Sequence, residues 1–347
     1  MRIALVTDAW HPQINGVVRT LEKTIGWLRN RGHEVLIIEP SGFRTIPMPS
    51  YPEIRLSLFP GRKVARMLDA FSPEAMHVST EGPLGLAARK YATRHGLPFT
   101  TAYHTRFPEY MRKRLPIPLS ISYMWMRWFH NAAERIMVST ESLRSELADR
   151  GFRNLVIMSR GVDTELFVPR EHKDLLDGER PTFLYLGRVA IEKNIDAFLS
   201  LDLPGSKHVI GDGPALHSLR KAHPDVSFHG YMSGSDLAGH LASADVMVFP
   251  SLTDTFGLVI LEALACGVPV AAYPVQGPVD IIENGRSGFV DENLRSAAVG
   301  ALYISPESCR ARALEFSWDR VGQQFFENLV PIRAARRAAV FQSASND

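Results

Sequence analysis

Short apolar runs alternate with longer amphipathic segments along the whole chain. The first half begins with "IALVT", a segment from Asn15 to Arg31 and "EVLIIEP", and later contains "AMHV", "PFTTAYH" and "RIMVST". The second half restarts at "TFLYLGRV" and continues through "KHVIG", "VSFHGY", "DVMVFP", "VPVAAYP" and "SGFVD". Strands that alternate with helices predict parallel sheets with right-handed crossovers. The pattern therefore predicts an α/β protein with two Rossmann-like domains.

The seam between the two patterns lies in residues 159–181, where Gly, Pro and charged residues gather. A chain of 347 residues has the length of about two ordinary domains. We predict an N-terminal domain over residues 1–165 and a C-terminal domain over residues 166–325. For the tail, residues 326–347, two alternatives are open: it packs back on the N-terminal domain, or it frays beyond Gln342.

Charge is distributed unevenly along the chain. Residues 1–160 contain 23 Lys and Arg against 13 Asp and Glu, a balance of +10, whereas residues 161–347 contain 16 against 24, or −8. A basic half joined to an acidic half predicts that the first half meets an anionic surface or substrate. The alternative is a domain that is merely basic.

Two cysteines, Cys266 and Cys309, suit a reducing cytosol and form neither a disulfide framework nor a zinc pattern. The first ten residues have too few apolar side chains for a secretory leader. No stretch reaches the ~18 consecutive apolar residues of a membrane span. We therefore expect any membrane contact to be peripheral.

Ligands of parallel sheets bind beyond the carboxyl ends of the strands, so the residues that follow each strand are the candidates. In "GRVAIEK", the Arg188 guanidinium matches phosphate oxygens and Lys193 adds a compact positive charge. Together they predict a diphosphate site, although a solvated helix start would have the same composition. Other candidates follow other strands: Asp8, Asn15, Gly16, Arg19, His104 and Arg106.

The stretch "TDTFGLVILEALACG" predicts an apolar helix that carries one carboxylate, Glu262. Burying a charge costs several kcal/mol unless a partner compensates it, so we expect a ligand there. The amides of Phe256, Gly257 and Leu258 lie at the predicted helix N-terminus, where free N–H groups and the helix dipole favour an anion. The alternative is that Glu262 simply leans out to solvent.

"GRVAIEK", followed by Asp254 and Glu262 with seven residues between them, resembles the pattern of glycosyltransferase family 4. The likeness extends to "NGV", "RGVDTELFVP" and "GRSGFV" and covers nearly the whole chain. It implies a GT-B fold, in which two Rossmann-like domains face each other across a cleft. The family usually has Glu at the first acidic position, so Asp254 shortens the reach to the sugar by one methylene.

The resemblance also implies roles. Glu262 accepts hydrogen bonds from the ribose of a nucleoside diphosphate sugar, and Asp254 contacts hydroxyls of the transferred sugar. His104 approaches the donor sugar, while Arg188 and Lys193 stabilise the leaving diphosphate with the Gly16 loop. The family further implies retention of anomeric configuration, no metal and no cofactor. Asp8, Arg19 and Arg106 are further cleft candidates.

The acceptor is indicated by "EYMRKRLPIPLSISYMWMRWFHN", where cations lie beside aromatic residues. Such a composition suits a peripheral contact with anionic lipid, although an amphipathic helix packed into the core would look similar. The predicted membrane-contact residues are Arg112, Lys113, Arg114, Trp125 and Trp128.

"YHTRFPEY", "NGVVRTL" and "TDTFGLV" resemble the bacterial branch of glucosyl, glucuronosyl and sulfoquinovosyl diacylglycerol synthases and GDP-mannose-dependent mannosyltransferases. We predict transfer of a hexose or uronic acid, with a UDP-sugar favoured, to a lipid such as diacylglycerol at the cytoplasmic membrane face. No nucleic-acid partner is expected. The alternatives are a GDP-mannose-dependent enzyme acting on a polysaccharide or phosphatidylinositol-type acceptor, and a non-catalytic nucleotide-sugar sensor. A dehydrogenase is disfavoured because "TDAWHPQING" lacks the dinucleotide glycine spacing.

Overall fold

The chain folds into two compact units. Unit 1 comprises Met1–Ser159 and Val321–Asp347, and unit 2 comprises Arg160–Arg320. The computed structural model describes residues 1–13, 16–48, 51–104, 107–112, 118–171, 174–252, 254, 256–337 and 340.

Unit 1 contains a parallel sheet of six strands in the order β2-β1-β5-β6-β7-β8. A separate antiparallel hairpin, β3–β4, is inserted between β2 and β5. The strands described in this unit are β1 (Arg2–Val6), β2 (Glu34–Ile38), β3 (Thr45–Met48), β4 (Tyr51–Ser57), β5 (Ala75–Val78), β6 (Thr100–Ala102), β7 (Arg135–Val138) and β8 (Leu155–Ile157).

Helices cover both faces of this sheet, because successive side chains of a strand point to opposite sides. Ile3 and Leu5 of β1 join the core beneath α1, whereas Ala4 and Val6 join the core beneath α2 and α3. The described helices of unit 1 are α1 (Gly16–Asn30), α2 (Gly61–Phe71), α3 (Pro83–Arg94), α4 (Phe107–Arg112), α5 (Leu119–His130) and α6 (Glu141–Asp149).

Unit 2 repeats this design with a parallel sheet in the order β11-β10-β9-β12-β13-β14. Its strands are β9 (Thr182–Leu186), β10 (Ser206–Ile210), β11 (Ser227–Gly230), β12 (Val246–Phe249), β13 (Val270–Ala272) and β14 (Gly288–Val290). Its helices are α7 (Ile195–Leu199), α8 (Leu216–Ala222), α9 (Gly234–Ser243), α10 (Leu258–Ala265), α11 (Pro278–Ile281), α12 (Leu294–Ala301) and α13 (Pro306–Leu314).

The last helices are α14 (Trp318–Asn328) and α15 (Ala334–Arg337). From Val321 onward this segment belongs to unit 1. Phe325 lies in the core beneath α1, and Arg337 pairs with Glu74 at an Nη1–Oε1 distance of 3.1 Å.

The prediction of two parallel α/β domains is confirmed. Two elements were not predicted, the β3–β4 hairpin and β8. The hairpin segment "RTIPMPSYPEIRLSL" contains prolines, which argue against a strand in a sheet interior and are compatible with this two-stranded ribbon. In the described part of the chain, no helix is both long and apolar enough to cross a membrane.

A histidine cluster lies on one side of unit 2. The His208 Nδ1 and His229 Nε2 atoms are 3.1 Å apart, and His240 lies against His229 with ring centroids 5.7 Å apart. Burial, and then the neighbouring His229, lower the pKa of His208 to about 4, although the Asp177 carboxylate opposes this. Burial also lowers the pKa of His229. Burial therefore favours the neutral imidazole at His208 and His229.

We expect unit 2 to lose stability in mild acid. The folded-state pKa of His208 lies below the unfolded value of about 6.5. The stability that neutral His208 contributes to the fold is therefore complete above pH ~6.5 and is lost as the pH falls toward about 4. Protonation of His208 alone should lower the free energy of unfolding by about 2 kcal/mol at pH 5 relative to pH 7.5. Denaturant unfolding at both pH values should show a smaller difference in His208→Gln. The same substitution at exposed His217 is the control, and an equal pH effect in both variants would contradict this origin.

Candidate active site

Strand order in unit 2 reverses between β9 and β12, which are neighbours in the sheet although three helices and two strands separate them in sequence. At such a switch point, the loops that follow the two strands lead to opposite faces of the sheet. A crevice forms between these loops, beyond the carboxyl ends of the strands. The loop after β9 contains Arg188 and Lys193, and the loop after β12 contains Asp254. The fold thus brings the predicted phosphate and sugar residues of this unit to one edge.

The loop after β9 is fixed by close packing of two backbones. The Gly187 amide donates to the Ile210 carbonyl at 3.1 Å, and the Val189 amide donates to the Asp212 carbonyl at 2.9 Å. A Cβ atom on Gly211, which has a φ of 144°, would lie 1.8 Å from the Gly187 oxygen. Only glycine therefore fits at position 211. The exposed Arg188 side chain projects from this fixed turn.

Two of the predicted catalytic residues form an ion pair. Lys193 Nζ donates to Asp254 Oδ1 at 2.5 Å, and the side chains are 26% and 22% exposed. The second oxygen, Asp254 Oδ2, is buried and accepts no hydrogen bond in the described structure. Asn194 holds the same two loops together, because its Nδ2 donates to the Pro250 carbonyl at 3.1 Å. A cation and a carboxylate with a spare buried oxygen are thus set side by side.

Helix α10 begins directly after this loop. Gly257 at its N-cap has a φ of 86°, and a Cβ atom there would lie 2.9 Å from the Ile260 side chain. The first N–H groups of an α-helix have no partner within the helix, so this end is suited to an anion. Phe256 packs into the core of unit 2, which leaves its backbone, rather than its ring, to face a ligand.

Glu262 lies on α10 and is 4% exposed. Burial, and then the nearby Glu262 carboxylate, raise the pKa of Cys266 to about 12. The Glu262 side chain is therefore buried and does not extend into solvent, as the alternative interpretation of the sequence had it.

The far end of α10 is anchored by Arg310 of α13. Its Nη1 donates to the Phe167 carbonyl at 2.6 Å and to the Ala265 carbonyl at 2.8 Å, and its Nη2 donates to the Thr164 carbonyl at 2.7 Å. A cation at a helix C-terminus satisfies terminal carbonyls and complements the helix dipole. Arg310 therefore fixes the position of the helix that carries Glu262.

Asp8 has a structural role in unit 1. Its carboxylate accepts hydrogen bonds from the Leu84 amide at 2.9 Å, the Gly85 amide at 3.2 Å and the Thr80 hydroxyl at 2.9 Å. Burial raises the pKa of Asp8 above its ordinary value, although these hydrogen bonds oppose the shift. A Cβ atom on Gly82 would lie 2.4 Å from the carboxylate carbon. Asp8 thus caps α3, a role that the sequence did not indicate.

The other unit 1 candidates are spread over separate elements. His104 is buried two residues after β6, Gly16 is the first residue of α1, and Arg19 lies in the first turn of that helix. Asn15 and Arg106 lie outside the described residues.

Two tryptophans of α5 differ in their surroundings. The Trp125 ring is partly buried and packs on Phe129 and Phe107, with ring centroids 6.1 and 5.9 Å away. Trp128 is 53% exposed, and the Arg89 guanidinium lies 3.8 Å from its ring centroid. Arg112 is exposed at the end of α4, while Lys113 and Arg114 lie outside the described residues. Trp128, rather than Trp125, is therefore the tryptophan that faces solvent.

Sequence reasoning missed three residues of these sites. Asn194 and Arg310 bond backbone carbonyls of distant segments, so no local pattern marks them. Glu81 pairs with His130, and these residues are 49 positions apart. A carboxylate in the loop that follows a strand is the one signal that could have drawn attention to Glu81.

Two family models match successive parts of the chain. Residues 14–166 match the family model described as Glycosyltransferase Family 4, and residues 180–302 match that of Glycosyl transferases group 1. A GDP-mannose-dependent alpha-mannosyltransferase of Mycobacterium tuberculosis is 31% identical over 316 residues, which cover 84% of this chain and 83% of that protein. An alpha-monoglucosyldiacylglycerol synthase of Streptococcus pneumoniae is 26% identical over 94% of this chain and 85% of its own length.

The solved structure of Anabaena Alr3699/HepE in complex with UDP superposes with a TM-score of 0.70, covering 94% of this chain and 99% of that one at 15% identity. Two doubly wound units with these motifs define a glycosyltransferase of the GT-B fold. The chain belongs to glycosyltransferase family 4, as its match to the mannosyltransferase shows.

We expect Asp8→Asn to destabilise unit 1 by about 1–3 kcal/mol, because an amide cannot accept all three hydrogen bonds and leaves buried N–H groups unsatisfied. Denaturant unfolding measures the change. Asp149→Asn, at the exposed end of α6, is the matched control and should have little effect. Equal stability of the two variants would show that Asp8 does not hold α3.

Proposed function

We propose that the protein transfers a sugar, with retention of configuration, from a nucleoside diphosphate sugar to a hydroxyl group of a lipid-type acceptor. The observation that carries this proposal is the Lys193–Asp254 pair at the switch point of unit 2, next to the N-terminus of α10. Cation, carboxylate and free helix amides are the groups that a diphosphate sugar requires.

GDP-mannose is the donor that we place first. The mannosyltransferase at 31% identity supports it, whereas the sequence analysis favoured a UDP-sugar. A UDP-sugar and a diacylglycerol acceptor form the second candidate, supported by the monoglucosyldiacylglycerol synthase at 26% identity.

The proposed reaction breaks the bond between the anomeric carbon and a diphosphate oxygen. The acceptor hydroxyl oxygen bonds to that carbon on the same face, and its proton passes to the departing diphosphate. Arg188 and Lys193 stabilise the negative charge that develops on the leaving group. Glu262 accepts hydrogen bonds from the ribose, and Asp254 Oδ2 accepts a hydrogen bond from a hydroxyl of the donor sugar. These cations can do the charge stabilisation without a metal ion or cofactor.

Turnover of labelled donors tests the proposal. GDP-mannose and UDP-glucose are each incubated with the protein and vesicles of total bacterial lipid, and the lipid extract is analysed by mass spectrometry. We expect release of nucleoside diphosphate that depends on the acceptor, and a glycosylated lipid as product. Saturable donor binding without turnover on any acceptor would instead support a nucleotide-sugar sensor.

We expect Arg188→Ala to lower kcat by an amount equivalent to about 2–4 kcal/mol, because a preorganised charge at the leaving group is lost. Arg180→Ala is a matched control, since Arg180 lies just before the amino end of the same strand and pairs with Asp245 at 2.8 Å. That variant should lose stability and keep its kcat. Equal rates in Arg188→Ala and the unaltered protein would refute the assigned role.

We further propose that α5 contacts an anionic membrane surface. Its exposed apolar side chains, Ile121, Met124 and Trp128, follow a spacing that places them on one face of the helix. Helices α2, α3 and α5, which share one core, carry seven Lys and Arg and one Asp. Apolar side chains beside cations suit the interface of an anionic bilayer.

Vesicle sedimentation tests this surface. We expect Trp128→Ser to reduce binding to vesicles that contain phosphatidylglycerol, because an aromatic ring no longer enters the interface. Tyr303→Ser is the control, since Tyr303 is an exposed aromatic residue of unit 2. Equal losses in the two variants would place the membrane contact elsewhere.

A further inference from the structure

Unit 1 has a switch point of its own. Strands β1 and β5 are neighbours, and the chain leaves the sheet in opposite directions from them. Three polar residues follow β5 at this edge: Ser79, Thr80 and Glu81. Thr80 is occupied within the fold, because its hydroxyl donates to Asp8 Oδ2 and accepts from the Asp8 amide at 2.7 Å.

Glu81 is held rigidly through one of its two oxygens. Its Oε1 accepts from His130 Nε2 at 3.0 Å, and the side chains of His130 and Glu81 are 0% and 17% exposed. On the other side of the ring, His130 Nδ1 lies 2.9 Å from the Thr101 hydroxyl. Both ring nitrogens of His130 are therefore engaged, which fixes the orientation of the imidazole. Glu81 Oε2 bonds to no residue that the structure describes.

Ser79 provides a second, independent sign of a ligand. It is 5% exposed, and its Oγ atom has no hydrogen-bond partner in the described part of the structure. A buried hydroxyl without a partner costs about 1–3 kcal/mol, so such groups mark places where a ligand or water completes the structure. Ser79 is the first residue after β5, two positions before Glu81, on the edge where His104 follows β6.

We propose that Glu81 and Ser79 bind the hydroxyl groups of the acceptor, with His130 as the positioning residue of Glu81. This inference rests on the proposed function, and it specifies the acceptor as a polyol. A carboxylate accepts hydrogen bonds from hydroxyls, and two neighbouring hydroxyls match its two oxygens. Inositol and sugar head groups share this chemistry, whereas a diacylglycerol has a single free hydroxyl, and a phosphate at this position would be repelled by the carboxylate.

The inference is tested by steady-state kinetics of Glu81→Gln, in which the amide oxygen can still accept from His130. The probes are GDP-mannose and UDP-glucose as donors, with dioleoylglycerol or phosphatidylinositol in phosphatidylcholine vesicles as acceptors. We expect the KM for phosphatidylinositol to rise about tenfold or more, since hydrogen bonds to a charged group are lost, and the KM for dioleoylglycerol to rise less. The donor KM should not change.

Glu74→Gln is the matched control. Glu74 precedes β5 at its amino end, as Glu81 follows it at the carboxyl end, and it is likewise held by a basic side chain, Arg337. This variant should lose stability and keep both KM values. His130→Gln should raise the acceptor KM without changing the donor KM, an effect that a purely structural role would not produce.

The outcomes separate the two proposals. If the unaltered protein glycosylates an acceptor and Glu81→Gln shows the same acceptor KM, the Glu81 subsite is wrong and the proposed function stands. If the unaltered protein transfers sugar to neither acceptor from either donor, the lipid-directed function fails and the subsite with it. A larger rise in the KM for phosphatidylinositol than for dioleoylglycerol supports a polyol acceptor, whereas equal rises contradict it.

Discussion

Parallel pairing between β9 and β12 is the constraint on which the proposed donor site depends. The register joins Phe183 to Val246 and Leu184 to Met247, so the two strands end at the same edge of the sheet. Lys193 and Asp254 are 61 residues apart in sequence and meet because of this pairing. The tight contact between Gly187 and Gly211 and the anchoring of α10 by Arg310 then limit how far either loop can move.

The sequence was sufficient for the architecture because strands of a parallel sheet are buried on both faces and appear as short apolar runs. The sequence was insufficient where two residues of the same type differ only in their packing. Trp125 and Trp128 belong to the same apolar helix, and only the position of its neighbours decides which ring faces solvent. The β3–β4 hairpin escaped notice because its prolines are compatible with a two-stranded ribbon as well as with a loop.

The candidate site was predictable to a similar degree. Motif residues such as Arg188, Lys193 and Asp254 could be recognised from their chemistry and order, because they follow strands. The residues that bond to such side chains could not be recognised in this way. Asp8 looked like a ligand contact because it follows β1, yet its carboxylate is used by amides 76 and 77 residues later. A residue after a strand therefore indicates an edge of the sheet, and only the packed structure shows whether its polar atoms are already satisfied.

The two units share a plan but have opposite electrostatics at equivalent positions. In unit 1, the loop after the first strand supplies a carboxylate, Asp8, to the N-terminus of the helix that follows the neighbouring strand. In unit 2, the corresponding loop supplies the cations Arg188 and Lys193 beside the N-terminus of α10. The first unit thus carries a built-in anion where the second presents positive charge. In unit 1, one carboxylate accordingly occupies a helix N-terminus that would otherwise be suited to an external anion.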